Sequence, residues 1–183
     1  MTNFVFIAAS LDGFIAEKDG GIDWLVDFPN PDNNDYGFVD FTKKIDALVM
    51  GRNTYEIVLT LKEWPYPMPV FVLSHSNPAV PAALKDKVTI IKGEPKEVVK
   101  ELNARGYTNL YIDGGKVIQS FLREDLIDEM IITTVPILLG DGIPLFGKLA
   151  QPLNFRLVKT ESYSSSLVKN HFVRDRENDQ VSK

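Results

Sequence analysis

Residues 110–122, LYIDGGKVIQSFL, join an apolar segment to an amphipathic one through two adjacent glycines. The apolar residues before Asp113 are typical of a strand buried on both faces, and Val117, Ile118 and Phe121 share one face of a helix. At such a junction, free N–H groups and the helix dipole favour a phosphate, and glycine lets it approach closely. A plain turn that needs a positive φ is the alternative interpretation. This stretch is not the GxGxxG sequence of the Rossmann fold.

Similar apolar runs predict further buried strands at 4–9, 47–50, 70–73, 88–91, 110–112 and 130–139. Helical spacing appears between them, at 94–105 and after Gly115. The alternation predicts βαβ units in an α/β fold with a mostly parallel sheet. Segments 154–162 and 167–174 flank the polar turn Tyr163 to Ser166 and predict an antiparallel hairpin at the sheet edge.

Length and composition limit the classes of function. The 183 residues fit one domain, expected at 1–175, followed by a frayed polar tail at 176–183. A net charge of -5 without a basic cluster argues against nucleic acid as a partner. The chain has no cysteine, and its two histidines, His75 and His171, are far apart, so a catalytic metal is not expected and redox chemistry needs a cofactor. The apolar run at 4–9 is too short for a signal or membrane segment, so a cytoplasmic location is expected.

Two more segments place polar groups after a buried strand. In MGRNTYE, residues 50–56, Asn53 is a candidate N-cap with Glu56 completing a capping box, and Arg52 is a cation suited to phosphate or an ordinary surface charge. Ser74 and His75 follow a third strand, where hydroxyl groups can bind phosphate oxygens or form a turn. The carboxyl ends of parallel strands share one edge of the sheet, where open α/β folds bind ligands. A dinucleotide would account for all three segments.

The order of these motifs resembles the dihydrofolate reductase superfamily over residues 4–175. FIAASLDGFIA at 6–16 is similar to its first strand and nicotinamide loop, 50–56 to its MGRxTxE segment, 73–76 to its adenosine-phosphate loop, and Gly114-Gly115 to its pyrophosphate turn. The resemblance implies a dihydrofolate reductase-like, three-layer α/β/α fold.

Two signatures resemble a particular subgroup, the C-terminal reductase domain of the bifunctional riboflavin biosynthesis deaminase/reductase. They are SLDG at 10–13 and PILLGDGIPLF at 136–146. The chain has Asp113 where that subgroup commonly has Glu, and the fused deaminase domain is not expected here. These differences leave the substrate open.

The resemblance implies NADPH as cofactor. Its pyrophosphate is expected at Gly114, Gly115, Lys116, Val117 and Ile118, and its adenosine phosphate near Gly51, Arg52, Asn53, Thr54, Leu73, Ser74 and His75. The nicotinamide is expected near Ala8, Ile15 and Ala16.

Proton delivery has two candidate catalytic acids, Asp35 and Asp40. Asp35 lies sixteen residues before Gly51, a spacing similar to that of the dihydrofolate reductase acid, and Asp40 is close by. Either needs partial burial to raise its pKa, and the alternative role is a helix cap or a solvated charge. Asp23, Trp24 and Tyr55 are candidate substrate-binding residues, although Trp24 could also be core.

The leading hypothesis is an enzyme that transfers hydride from NADPH to a C=N or C=O carbon of a small heterocycle or a ribosylamino-pyrimidine, as 5-amino-6-(5-phosphoribosylamino)uracil reductase does. Alternatives are a non-catalytic NADP(H)-binding sensor or partner-binding protein, and dihydrofolate reductase activity. The resemblance also implies a homodimer, formed through the strand at 130–139 or the loop at 143–146.

Overall fold

An eight-stranded sheet forms the centre of the computed structural model, which describes residues 1–163 and 166–180. Its strands are β1 (Thr2–Ser10), β3 (Ala47–Gly51), β4 (Val70–Leu73), β5 (Val88–Ile91), β6 (Asn109–Asp113), β7 (Glu129–Val135), β9 (Phe155–Ser162) and β10 (Val168–Arg174). A separate antiparallel ladder joins β2 (Phe14–Ala16) to β8 (Ile143–Pro144). The helices are α1 (Asp23–Val26), α2 (Phe38–Thr42), α3 (Arg52–Val58), α4 (Pro95–Ala104) and α5 (Gly115–Arg123).

The strand order in the sheet is β5-β4-β3-β6-β1-β7-β10-β9. All pairs from β5 to β7 are parallel, and β10 pairs antiparallel with both β7 and β9. The predicted mostly parallel sheet with a C-terminal antiparallel hairpin is therefore confirmed.

Two apolar cores lie on opposite faces of this sheet. On one face Val98 and Leu102 of α4 pack with Ile118 of α5. On the other, Phe41 of α2 and Tyr55 of α3 pack together. Along β3, Leu48 and Val49 belong to different cores, since successive strand side chains point to opposite faces. The predicted three-layer α/β/α arrangement is confirmed.

The strand predicted at 130–139 ends earlier, at Val135. Proline lacks the N–H that continues a ladder, so Pro136 stops the strand and the apolar residues after it run on as a loop. Both edges of β7 are paired, with β1 and β10. A dimer therefore cannot form by strand addition to β7.

The C-terminal hairpin lies at the sheet edge, with a bulge between His171 and Phe172. Its predicted turn includes residues 164–165, which lie outside the described residues. The frayed tail from residue 176 stays a prediction. Within it, Asp179 binds the buried Arg174 guanidinium, which also pairs with Asp125; residues 181–183 lie outside the described part. No helix within the described ranges is long and apolar enough to cross a membrane.

Candidate active site

Three polar loops meet at one edge of the sheet. Strands β4, β3 and β6 are direct neighbours and parallel, so their carboxyl ends, at Leu73, Gly51 and Asp113, lie side by side. The register pairs Gly51 with Leu73 and Met50 with Asp113. The structure thus brings together the three segments that the sequence assigned to a cofactor.

The starts of α3 and α5 touch each other at this edge. Gly114 has φ +87°, and a Cβ added there would lie 2.2 Å from Oγ1 of Thr54. A Cβ on Gly51 would lie 3.1 Å from Cγ2 of Val117. Glycine is therefore required at 114 for both conformation and space, and Lys116, Val117 and Ile118 follow in the first turns of α5.

Arg52 lies over the loop that follows β4. Its Nη1 is 3.4 Å from Oγ of Ser76, and its Nε is 3.3 Å from Oε1 of Glu56. Oγ of Ser74 is 3.0 Å from Oγ of Ser76. Asn53 and His75 are also exposed. A cation and two hydroxyl groups thus face solvent together.

The predicted capping box of α3 is wrong. The helix begins at Arg52 with Gly51 as its N-cap, and no side chain caps it. The extended backbone of Gly51 allows helical geometry to start at Arg52, one residue before the expected cap, which leaves Asn53 inside the helix and Glu56 free to pair with Arg52.

The predicted nicotinamide loop packs against the paired glycines. A Cβ on Gly115 would lie 3.0 Å from Cδ1 of Ile15 and 3.3 Å from Cγ2 of Ile143. Ala16 pairs with Ile143 in the β2–β8 ladder, and Ala8 lies further back on β1. The loop that carries Ile15 and Ala16 therefore packs against the start of α5.

Asp12 connects this loop to the segment after β7. Its carboxylate accepts hydrogen bonds from Oγ of Ser10 (2.6 Å) and from the N–H groups of Leu139 (3.2 Å) and Gly140 (2.8 Å). The hydrogen bond from Ser10, followed by those from the two N–H groups, holds the pKa of Asp12 below its usual value. The two signatures that suggested the riboflavin-pathway subgroup are thus in direct contact.

Asp113 is a buried carboxyl group at the end of β6, only 8% exposed. Its Oδ1 accepts the N–H of Gly114 at 2.8 Å. Burial raises the pKa of Asp113 to about 6, although hydrogen bonds with Gly114, Tyr111 and Tyr66 oppose the rise. The Tyr111 hydroxyl also donates to the carbonyl oxygen of Phe6 at 2.7 Å. Because a hydroxyl has one proton, Tyr111 can donate to Phe6 or to Asp113, but not to both at once. Sequence reasoning missed this acid, although an ionisable residue ending an apolar strand was a signal for it.

Asp35 and Asp40 do not meet the condition set for a catalytic acid. The Asp35 carboxylate accepts the N–H groups of Gly37 and Val39, both at 2.9 Å, and these bonds lower its pKa. Asp40 is 82% exposed and pairs with Lys43 at 2.7 Å. The alternative roles, a cap at the start of α2 and a solvated charge, match these positions.

The predicted substrate-binding residues differ in their exposure. Asp23 is exposed at the start of α1, and Nε1 of the neighbouring Trp24 is buried with no hydrogen-bond partner among the described residues. Tyr55 is fully buried, and its hydroxyl donates to the carbonyl oxygen of Ala79 at 3.2 Å. Its ring belongs to the core and is not accessible to a substrate.

These features define a dihydrofolate reductase-like α/β protein whose polar loops meet at the carboxyl ends of its central strands. Dihydrofolate reductase from Enterococcus faecalis, complexed with NADP(H), shares the fold, with a TM-score of 0.65, 20% identity and coverage of 95% of this chain and 96% of that one. The chain belongs to the RibD C-terminal domain family, whose model matches residues 3–169. The resemblance inferred from the sequence is confirmed.

Relatives of this chain extend over its whole fold. A protein of Shewanella sp. PV-4, whose name assigns it to riboflavin biosynthesis, is 52% identical, with a TM-score of 0.91 and coverage of 96% of this chain and 100% of that chain. Bacillus subtilis YwjB is 38% identical over 176 residues, covering 93% of this chain and 96% of YwjB.

A longer protein contains the same fold as one part. The diaminohydroxyphosphoribosylaminopyrimidine deaminase/5-amino-6-(5-phosphoribosylamino)uracil reductase of Thermotoga maritima matches with a TM-score of 0.72 and 19% identity. The match covers 95% of this chain and 56% of that one. At this identity, the likeness shows the fold.

Proposed function

We propose that this protein is an NADPH-dependent reductase that transfers hydride to a C=N or C=O carbon of a small heterocycle or a ribosylamino-pyrimidine. One observation carries the proposal: the glycine junction between α3 and α5 lies at the shared edge of β4, β3 and β6, next to the buried carboxyl group of Asp113. The family and the reductase name of the Thermotoga protein support it.

The residues present fit a dinucleotide. Gly114 and Gly115 let the starts of α3 and α5 and the loop carrying Ile15 pack closely together, and the first N–H groups of the nine-residue helix α5 have no partner inside the helix. This turn would bind the pyrophosphate. Arg52, with Ser74 and Ser76 beside it, would bind the adenosine 2′-phosphate, because a guanidinium pairs well with phosphate oxygens.

The loop that packs against these glycines would form the other side of the proposed cleft and hold the nicotinamide. Ile15 and Ala16, fixed by the β2–β8 ladder, would cover the ring and exclude water, and Ala8 would support it from the sheet. NADPH supplies the hydride when it is bound. The protein contributes orientation, because a reacting pair held in position avoids much of the entropic cost of meeting.

We assign proton donation to Asp113 in place of Asp35 and Asp40. When hydride adds to the carbon of C=N or C=O, the nitrogen or oxygen must receive a proton. With a pKa of about 6, Asp113 keeps a protonated fraction on the order of one tenth at neutral pH, far more than the ionised, capping Asp35. Solvent would then reprotonate Asp113.

Turnover separates this proposal from a protein that only binds NADP(H). Stopped-flow loss of NADPH absorbance, measured with dihydrofolate, dihydrobiopterin and 5-amino-6-ribosylaminouracil, should show reduction of at least one compound. Asp113→Asn should slow that reduction by about a hundredfold or more, because positioned acids contribute that much, while NADPH affinity is retained. NADPH binding without absorbance loss for any compound would favour the non-catalytic sensor.

A further inference from the structure

Lys169 on β10 places an ammonium group in an unusually enclosed position. Its side chain is only 11% exposed, and Nζ donates to the carbonyl oxygen of Tyr36 at 2.8 Å. The same atom is 3.1 Å from Oε2 of Glu161 and 5.4 Å from the ring centre of Tyr163. Burying a lysine ammonium group costs free energy unless its N–H groups donate hydrogen bonds, so Lys169 and its acceptors stabilise one another's positions.

The segment held by Lys169 has a strained backbone. Tyr36 has φ +53°, a left-handed conformation that is rare for a bulky residue, and Gly37 follows with φ +84°. The Tyr36 ring stacks edge-on against Tyr163, with centroids 4.9 Å apart. A Cβ on Gly37 would lie 3.0 Å from Nζ of Lys169. The lysine and Tyr163 together keep two left-handed residues in position.

Sheet register locates this segment relative to the proposed site. Ala8, Thr133 and Lys169 are paired across β1, β7 and β10, so their side chains form one row on one face. Two residues earlier on the same face of β1, Phe6 packs against Phe38 of α2 at 5.7 Å between ring centres. Tyr36 therefore lies beyond Phe38, towards the carboxyl edge, on the face of the sheet that carries Ala8.

The same face includes the proposed acid. Asp113 interacts with Tyr111 two residues before it on β6, and the Tyr111 ring packs edge-on against Phe41 of α2 at 5.1 Å. A substrate that reaches both the nicotinamide position at Ala8 and the carboxyl group of Asp113 must lie next to the start of α2. Tyr36 and Gly37 are the residues that lead into that helix.

We infer that Lys169 is a positioning residue for the proposed reduction, which holds Tyr36 and the start of α2 as the substrate-side wall of the cleft. The inference rests on the proposed function for the identity of the ligand. A planar heterocyclic substrate would meet this wall, whereas the phosphate groups of NADPH would bind around Gly114 and Arg52.

Lys169→Met tests this role, since methionine keeps the side-chain length and removes the donor. Lys159→Met is the matched control: Lys159 also lies 3.1 Å from Glu161, but it is 62% exposed and does not contact Tyr36. In Lys169→Met, amide hydrogen exchange in residues 35–39 should accelerate by about tenfold or more, as local opening becomes easier. KM for the panel compound that turns over should rise about fivefold or more, with the Kd for NADPH within about twofold. Lys169→Arg should restore most of the loss.

Equal exchange in the Lys169→Met and Lys159→Met proteins would overturn the inference, whatever the activity. Faster exchange with an unchanged KM would also overturn it, because Lys169 would then support only the fold. Failure of the proposed function is a separate result: the wild-type protein would oxidise no NADPH with any panel compound. In that case the exchange comparison still decides whether Lys169 holds Tyr36.

Discussion

The charge state of Asp113 links the candidate chemistry to stability. Its pKa in the folded protein, about 6, is higher than the ordinary value of 3.8, because burial disfavours the carboxylate. Between these two pH values, the folded protein therefore keeps a proton on Asp113 that the unfolded chain has already released. The stabilisation from the protonated form is complete below about pH 4 and is lost as the pH rises through about 6.

Asp113→Asn should remove this pH dependence. The amide stays neutral and similar in shape, so the substituted protein should gain about 2 kcal/mol of unfolding free energy relative to wild type between about pH 4.5 and pH 8. Urea denaturation at the two pH values measures the difference. Asp35→Asn is the control, because its pKa is lowered by the N–H groups of Gly37 and Val39 and the shift has the opposite sign. A difference that does not change with pH would refute the raised pKa.

Arg52 should discriminate between NADPH and NADH. Hydrogen bonds to charged groups contribute about 1.5–3 kcal/mol, so Arg52→Ala should weaken NADPH binding by about tenfold to a hundredfold and NADH binding much less. Arg105→Ala is a matched control. Arg105 also pairs with a glutamate four residues away, Glu101, but it lies at the end of α4 and outside the three loops of the proposed site. Calorimetric titration of both cofactors measures the ratio; equal loss for both would remove Arg52 from the 2′-phosphate site.

Individual side chains were the hardest part to predict from the sequence. The spacing that suggested Asp35 could not show that its oxygens are used by the N–H groups of Gly37 and Val39. Asp113 was noticed only as the end of an apolar strand and as a departure from the subgroup pattern, and the sequence could not show that Tyr66, distant along the chain, interacts with its carboxyl group. The position of Asp113 at the end of an apolar strand was a local signal of burial, but the partners of a carboxyl group depend on tertiary packing.

At the scale of elements, the close packing and the turn between β6 and α5 explain why Gly114 and Gly115 are glycines. Gly114→Ala should destabilise the protein by a few kcal/mol, on the order of 1–3 for the backbone conformation alone, with more from the contact with Thr54. It should also abolish NADPH binding at millimolar concentration.

The control for that change is Gly106→Ala. Gly106 has a similar φ of +93°, but no atom lies within 4 Å of an added Cβ. It should show the backbone cost by thermal denaturation and keep full NADPH affinity. Equal NADPH binding by the two alanine proteins would show that the paired glycines do not contact the cofactor.

The elements themselves were largely predictable, since periodicity reports directly on burial. The strands Val70–Leu73 and Val88–Ile91 have the bounds that their apolar runs indicate. The errors lie at boundaries where backbone chemistry competes with hydrophobicity: Pro136 ended β7 early, and Gly51, instead of Asn53, is the N-cap of α3. The pattern of apolar residues alone does not show where proline, which lacks an N–H group, ends a strand, or where a glycine with an extended backbone caps a helix.

At the scale of the whole molecule, homodimerisation remains a prediction from the family resemblance. The structure leaves Phe146 of the predicted loop exposed, and the outermost strand β9 exposes Leu157 and Val158. Sedimentation velocity at micromolar concentration should give about twice the mass of the 20.6 kDa chain. A single species at the chain mass would show that the protein is a monomer.

The proposed cofactor site depends on the strand order of the sheet, because this order places three loops from distant parts of the sequence at one edge. That convergence was inferred from the rule that parallel strands share their carboxyl edge, and needed no knowledge of side-chain contacts. The face on which the substrate lies could not be inferred in this way, since it depends on the packing of α2 and the C-terminal hairpin.

Thermal denaturation with NADPH and NADH tests this claim most directly. At a hundred times its Kd, NADPH should stabilise the folded protein by about 2.7 kcal/mol, and NADH at the same concentration should stabilise it less. A melting temperature that is unchanged by millimolar NADPH would contradict the account, since both the reductase and a nucleotide-binding sensor require the cofactor at this edge.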